Sequence, residues 1–288
     1  MAPNQGRAVT THAWPRTARL DAPRLVDRIA DITGVRLTLE GPCPGGEVGA
    51  AYVRWPDGRR SVLSEGRSRT GELLDLARAA GVPTARQELA AHIDGARVVV
   101  QQRLPGAPPQ TVDARLVRDL VALNARFAGL LADRPGVPEV DLFLTTDGPG
   151  FCLHRPLAGH SPRTARLLDW IHEVGAATPP VTGTDLVHLD YQPGNILIDN
   201  GRVSGVIDFD GAARGDRRLD LVTLRFDLTR RAPHLTGIVD EHLTGADPDL
   251  LRGYWAHMSL RMVDWMIRHH EDSDVDSWLT VAECGMRR

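Results

Sequence analysis

The residues of this chain best suited to chemistry lie between His188 and Asp210. The run His188-Leu189-Asp190-Tyr191-Gln192-Pro193-Gly194-Asn195 puts an imidazole, a carboxylate and a carboxamide in one short segment. Val206-Ile207-Asp208-Phe209-Asp210 adds two more carboxylates. Between the two runs sits Asn200-Gly201, the pair that most readily takes the left-handed dihedrals of a type I′ turn. Ile196-Leu197-Ile198 and Val203 to Ile207 are therefore expected to pair as a hairpin. An apolar strand ending near Val187 would feed the first run, and the hairpin would return the chain so that Asp208 arrives beside it. Carboxylates and a carboxamide gathered this way are hard oxygen donors, the kind that Mg²⁺ takes. Phosphoryl transfer needs such a set: one group to align or deprotonate an attacking hydroxyl, and others to hold the metal that neutralises phosphate charge. Asp190 suits the first task, and Asn195 with Asp208 the second. Other readings use the same residues. An Asp ahead of a helix is commonly a cap, and Asp190, Asp208 and Asp210 could ligate the metal of a hydrolase. No further cluster at ligand spacing supports the hydrolase.

The spacing Asp190-x-x-x-x-Asn195 is that of a kinase catalytic loop. Over Leu186 to Leu221 the sequence resembles the aminoglycoside phosphotransferase and choline kinase-like family, whose members share the protein-kinase architecture. The resemblance rests on His188-Leu189-Asp190, on Asn195 five residues further on, on Ile207-Asp208-Phe209-Asp210 after the hairpin, and on Gly215-Asp216 with Asp220-Leu221. It implies an O-phosphotransferase that takes ATP or GTP as donor, uses Mg²⁺ and acts on a small-molecule hydroxyl. It implies Asp190 as the catalytic carboxylate, Asn195 and Asp208 as metal ligands, Asp210 in support, and His188 as a structural residue of the loop. It also implies that Gly45-Gly46-Glu47-Val48-Gly49 covers the phosphates, and that backbone groups near Gln102 and Leu104 meet the purine.

One part of the family pattern is missing. The third strand of such enzymes ends in a lysine that contacts the phosphates and pairs with a glutamate on the next helix. Here Val62-Leu63-Ser64 stands at that place, Glu72 stands at the glutamate's, and the chain has no lysine at all. Coding bias toward arginine accounts for the composition, but the phosphates still need a cation. Arg60 or Arg67, or else Arg69, could provide it. Alternatively the nucleotide sits in another pose, or the protein is a weak enzyme or a pseudokinase.

For the acceptor, residues 220–288 hold 12 acidic side chains against 8 arginines. Glu271, Asp272, Asp274 and Asp276 form a run near Trp265 and Trp278. Such a wall suits a cationic acceptor, an aminoglycoside or a basic peptide antibiotic, and hence resistance by modification. A solvated helix face has the same composition. Choline-like, macrolide, amino-acid and sugar acceptors stay open.

The elements that must position these groups read as an α+β, two-lobed protein-kinase-like fold. Residues 1–20 form a polar tail. Arg24 to Ile32 has the spacing of a helix, and Val35 to Leu39 alternates as a strand. Gly49 to Trp55 and Arg60 to Leu63 form a pair across Pro56-Asp57-Gly58. A helix over Thr70 to Ala80 and a strand over Arg97 to Gln101 complete a small antiparallel lobe, residues 1–104. Helical spacing dominates the lobe that follows Pro105-Gly106, residues 105–288: Asp113 to Leu131, Pro162 to Val174, Leu219 to Leu228 and Asp249 to His269.

Over 288 residues the net charge is −3, which argues against nucleic acid as partner. Three widely spaced cysteines form no disulfide framework and no zinc site. The chain has no apolar run of the ~20 residues that span a bilayer, and Met1 to Pro15 lacks a signal-peptide core. A soluble, cytoplasmic protein without membrane partners is expected.

Overall fold

In the computed structural model, residues 19–45, 49–67 and 69–287 are described. The first of them form α1 (Ala22–Thr33), started by Asp21, whose carboxylate accepts the Arg24 N–H at 3.3 Å. Gly34 ends the helix in the left-handed conformation, its N–H on the Ala30 carbonyl. The cap runs one residue further, since the Val35 N–H donates to the Thr33 hydroxyl at 3.2 Å. For that reason the strand expected from Val35 begins later, as β1 (Thr38–Pro42).

β1 opens an antiparallel sheet completed by β2 (Ala51–Arg54), β3 (Arg60–Glu65), β4 (Gln87–Ile93) and β5 (Ala96–Gln102), in the order β1-β2-β3-β5-β4. The sequence reading missed β4, although its turn signal was present. Asp94 and Gly95 both have positive φ, at 51° and 85°, and join Ile93 to Ala96 as a two-residue hairpin turn. Alternation buries Val53, Leu63, Val98 and Val100 on one face of the sheet, where Ile29 of α1 meets them. Ser64 lies opposite Val99 in the β3–β5 register, on the other face.

Between β3 and β4 runs α2 (Thr70–Ala79), as expected from its spacing. Its buried Leu73, Leu74 and Ala77 do not join the core of the sheet. They pack into the larger core with Leu116, Leu120 and Phe127. Helix α2 thus comes before the crossover in sequence and packs with the residues after it.

The crossover is pinned. Ala107 exchanges backbone hydrogen bonds with Ile198, and the Ser204 hydroxyl donates to the Pro105 carbonyl at 2.7 Å. A helix expected over Asp113 to Leu131 stops early: α3 (Ala114–Asn124) gives way to a 3₁₀ turn, Ala125–Phe127. Tertiary bonds replace the helical ladder there. The Asn124 amide donates to the Arg217 carbonyl at 3.1 Å, and the Leu131 N–H reaches the Thr184 carbonyl at 2.8 Å.

The remaining helices are α4 (His154–His160), α5 (Pro162–Ala177), α6 (Arg218–Arg231), α7 (Thr236–Leu243), α8 (Pro248–His269) and α9 (Asp272–Met286). Among them lie two small antiparallel pairs, β6 (Asp185–Val187) with β9 (Ala213–Gly215) and β7 (Ile196–Asp199) with β8 (Arg202–Val206). This is an α+β, two-lobed protein-kinase-like architecture, an antiparallel sheet lobe followed by a mainly helical one. Among the described residues no helix is long and apolar enough to cross a membrane.

Candidate active site

Strand β6 ends at Val187, and the next three residues are held from several sides. The Asp220 carboxylate, in the first turn of α6, accepts the N–H groups of His188 at 2.8 Å and Leu189 at 2.9 Å. Leu189 sits at φ +67°, a conformation that costs a residue with a Cβ about 1–2 kcal/mol and so needs such support. His188 is fully buried. Its Nε2–H donates to the Ile207 carbonyl at 2.9 Å, and its Nδ1 accepts the Asp190 N–H at 3.2 Å. Burial lowers its pKa to about 4, which keeps the ring neutral and suits this bracing role. Tyr191 points inward, its hydroxyl on the Leu120 carbonyl at 2.8 Å.

Asn195 closes a 3₁₀ turn, Pro193–Asn195. Its Nδ2 donates to the Asp190 carbonyl at 2.9 Å and to the Asp190 carboxylate at 2.7 Å. Both amide hydrogens are thereby committed, which leaves Oδ1 as the group able to face a cation. The β7–β8 hairpin turns at Asn200 and Gly201, both with positive φ, as the Asn-Gly pair predicts. It returns the chain to this loop, where the Ile207 N–H bonds the Asn195 carbonyl at 3.0 Å. Asp208 follows in the left-handed conformation at φ +67°. Phe209 anchors the segment against Phe127 and the His188 ring.

Asp208 lies beside Asp190 and Asp210, densely surrounded by protein although its own surface is open to solvent. Desolvation first, then these two neighbours, raises its pKa to about 6, with Arg261 opposing the shift. Asp210 turns away toward the sheet lobe, where it accepts the Thr70 hydroxyl at 2.8 Å. It links the Asp208 segment to the first turn of α2 and is not gathered with Asp190 and Asp208 as a ligand set. Among the described residues no group of three or more His, Cys, Asp or Glu could hold a metal alone. A solvent-accessible carboxylate on the segment hydrogen-bonded to Asn195, together with the free Asn195 carboxamide oxygen, fits a Mg²⁺ that takes one or two protein ligands and its remaining oxygens from phosphate and water.

On the nucleotide side the expected residues are spread out. Gly46 lies outside the described residues, as do Glu47 and Val48; Gly45 takes φ +81°. The Gln102 N–H is already bonded to the Arg86 carbonyl at 2.8 Å. Leu104 packs over β8, where a Cβ on Gly205 would come within 2.7 Å of its Cδ1. Arg60, at the start of β3, pairs with Glu40 at 3.1 Å in an exposed bridge. Arg69 lies against Gly136. Arg67 is the arginine of the three beside the catalytic segment, since its N–H bonds Asp210. Glu72 bridges to Arg134 at 3.1 Å, outside the sheet lobe.

On the acceptor side, Glu271 precedes the first residue of α9 and Asp272 starts it. Asp272 lies 3.9 Å from His160, Asp274 3.8 Å from His270, and Asp276 3.0 Å from Arg163. Trp278 is buried and stacked on Phe226, and Trp265 stacks on His269. These contacts do not bring the run to the Asp190 loop.

Two residues at the loop were not assigned a role from sequence. Asp220 carried a signal, in the Asp220-Leu221 pair, but its hold on two loop amides did not follow from it. Arg261 of α8 carried none. It lies 3.2 Å from Asp190 and donates to the Leu189 carbonyl from 72 residues away.

Known proteins give this geometry a context. A family model described as the phosphotransferase enzyme family matches residues 46–257. No curated protein matches the chain. Among solved structures, a thermostable mutant of aminoglycoside phosphotransferase APH(4)-Ia is similar in fold, with a TM-score of 0.66 at 17% identity, over 91% of this chain and 98% of that one. Spectinomycin phosphotransferase APH(9)-Ia gives 0.61 at 12% identity, over 92% and 98%. The macrolide 2'-phosphotransferase MphH from Brachybacterium faecium gives 0.53 at 20% identity, over 91% and 97%. With its family match covering residues 46–257, from the strands that follow β1 through the Asp190 loop and the β7–β8 hairpin into α8, the chain belongs to the phosphotransferase enzyme family.

Proposed function

We propose that this enzyme transfers the γ-phosphoryl group of ATP to a hydroxyl of a small-molecule antibiotic, a cationic aminoglycoside being the first acceptor to test. The observation that carries the reading is the convergence of Asp190, Asn195 and Asp208 at the end of the β7–β8 hairpin. Asp190 receives the acceptor proton or aligns the hydroxyl for in-line attack. The Asn195 Oδ1 and the Asp208 carboxylate would hold Mg²⁺, which neutralises phosphate charge when bound. Asp220, His188 and the Asn195 amide keep Asp190 in place before substrate arrives, so that little reorganisation is left for the reaction. The nucleotide would lie under the sheet, toward the Gly45–Gly49 loop and the segment at Gln102 to Leu104. Arg67 is the best placed of the three arginines to meet the phosphates.

The choice of ATP and of an antibiotic draws on similar proteins. A mutant of APH(4)-Ia was captured with AMP-PNP and hygromycin B, and APH(9)-Ia with ADP and spectinomycin. The test is ADP release from MgATP, alone and with hygromycin B, spectinomycin or a macrolide. Stimulation by one of them, with phosphate found on that compound, supports the reading. ATP binding without turnover under any of these conditions would favour a nucleotide-binding pseudoenzyme, the reading that Ser64 in the lysine's place makes worth keeping.

A further inference from the structure

We propose that Arg261 is a positioning residue of the active site: its guanidinium ties the Leu189 carbonyl to the Asp190 carboxylate and sets the angle at which that carboxylate meets the acceptor hydroxyl. This rests on the reading of Asp190 given above. Each peptide group around Leu189 is fixed from a different direction. The N–H groups of His188 and Leu189 are taken by Asp220 from α6. The Leu189 carbonyl is taken by Arg261 from α8. Without the second hold, the left-handed Leu189 could relax toward an ordinary conformation and swing Asp190 with it.

The same guanidinium acts on the side chain. Its second nitrogen lies 3.2 Å from Asp190 Oδ1, while Asn195 Nδ2 donates to Oδ2 at 2.7 Å. With a hydrogen bond on one oxygen and an ion pair on the other, the carboxylate cannot turn freely. Its remaining lone pairs keep a constant direction for the hydroxyl. An arginine fits this task because its planar fork presents parallel N–H donors at fixed spacing, which a lysine ammonium cannot do.

The anchor is firm. Arg261 stands in the middle of a 22-residue helix whose Tyr254, Met258, Leu260 and Val263 are buried. The side chain itself remains 24% exposed, so it borders the space an acceptor would enter. Arg261 is also the cation acting on Asp208 and Asp220, so the carboxylates of this lysine-free site draw their positive charge from the acceptor-side helix.

The experiment compares wild type, Arg261→Met and Arg261→Lys in the full chain by two readouts. Hydrogen exchange needs neither metal nor acceptor. The amides of residues 189–192 are expected to exchange about tenfold faster or more in Arg261→Met, with those of Tyr254 to Leu260 unchanged. ADP release at saturating MgATP, with water as the acceptor, is expected to fall about 10²-fold, the scale of a small misplacement of a reacting group. The KM for ATP should move less than about twofold. Arg261→Lys should restore neither readout. Unchanged exchange at residues 189–192 in Arg261→Met, or full recovery in Arg261→Lys, overturns the proposal. If Arg261→Met does not fold, Arg261→Lys decides by the same exchange measurement. Asp208→Asn is run alongside: activity surviving there would sink the reading of the site itself, whereas loss there with none in Arg261→Met sinks only the role of Arg261.

Discussion

The two lobes hold their functional residues in opposite ways. In the helical lobe the Asp190 loop is held from several sides: Asp220 accepts two of its amides, His188 braces it through the Ile207 carbonyl, Asn195 donates to one carboxylate oxygen and Arg261 pairs with the other. In the sheet lobe, Arg67 beside Asp210 apart, several charged groups are engaged in pairs remote from Asp190. Arg60 is with Glu40, Arg59 with Asp57 and Glu88, and Glu72 with Arg134. The difference suggests a division of labour. The helical lobe ties its candidate site groups to one another, whereas the sheet lobe holds several of its charges in exposed pairs.

That contrast can be broken most decisively at Asp208. Asp208→Asn should lose turnover almost entirely, by more than about 10²-fold, because it removes a charge from the cation site while leaving the fold intact. ADP release at saturating MgATP and acceptor checks this. Near wild-type rates would mean that the cluster is not the reaction centre.

A second effect of the same substitution is thermodynamic. Without a bound cation, desolvation and the neighbouring Asp190 and Asp210 push the Asp208 pKa up from its ordinary 3.8 to about 6. Between those limits the folded protein holds more protons than the unfolded chain, so stability falls as pH rises through this window. Asparagine does not titrate. Asp208→Asn should therefore melt progressively higher than wild type as pH rises from 4 to 7, by much less than the full shift implies because the carboxylate is open to solvent. Parallel melting curves at all pH values would show that the carboxylate is not destabilised by its surroundings.

The smallest effect is expected in the sheet lobe. Glu72→Gln breaks an exposed bridge to Arg134, a kind of pair worth about 0–1 kcal/mol, and should leave turnover within about twofold. A large loss would show that Glu72 leaves Arg134 and enters the cleft during turnover, and the lobes would then be less different than they look.

How much of this was legible in the sequence follows the same division. Asp190, Asn195 and Asp208 could be read because one loop and one hairpin carry all three, and Asn200-Gly201 dictates how the hairpin closes. Asp94-Gly95 spoke as plainly for β4 but was passed over. What could not be read depends on distant partners. Nothing near Arg261 marks it as a neighbour of Asp190, nor does the spacing of α2 tell which core it joins. Leu73, Leu74 and Ala77 suit either, and packing alone settles it. The helix predicted through Leu131 failed for a like reason, since local periodicity cannot foresee the bonds of Asn124 to Arg217 and Leu131 to Thr184.

If a prefixed carboxylate on the helical lobe directs phosphoryl transfer, Asp190→Asn must show it. Asparagine keeps the size of the side chain but loses its charge and one acceptor oxygen. Steady-state ADP release together with ATP binding should give a kcat lowered by about 10²-fold or more with nucleotide affinity nearly unchanged. A variant that keeps kcat but binds ATP poorly or melts early would show instead that Asp190 only braces its loop, and would contradict the account.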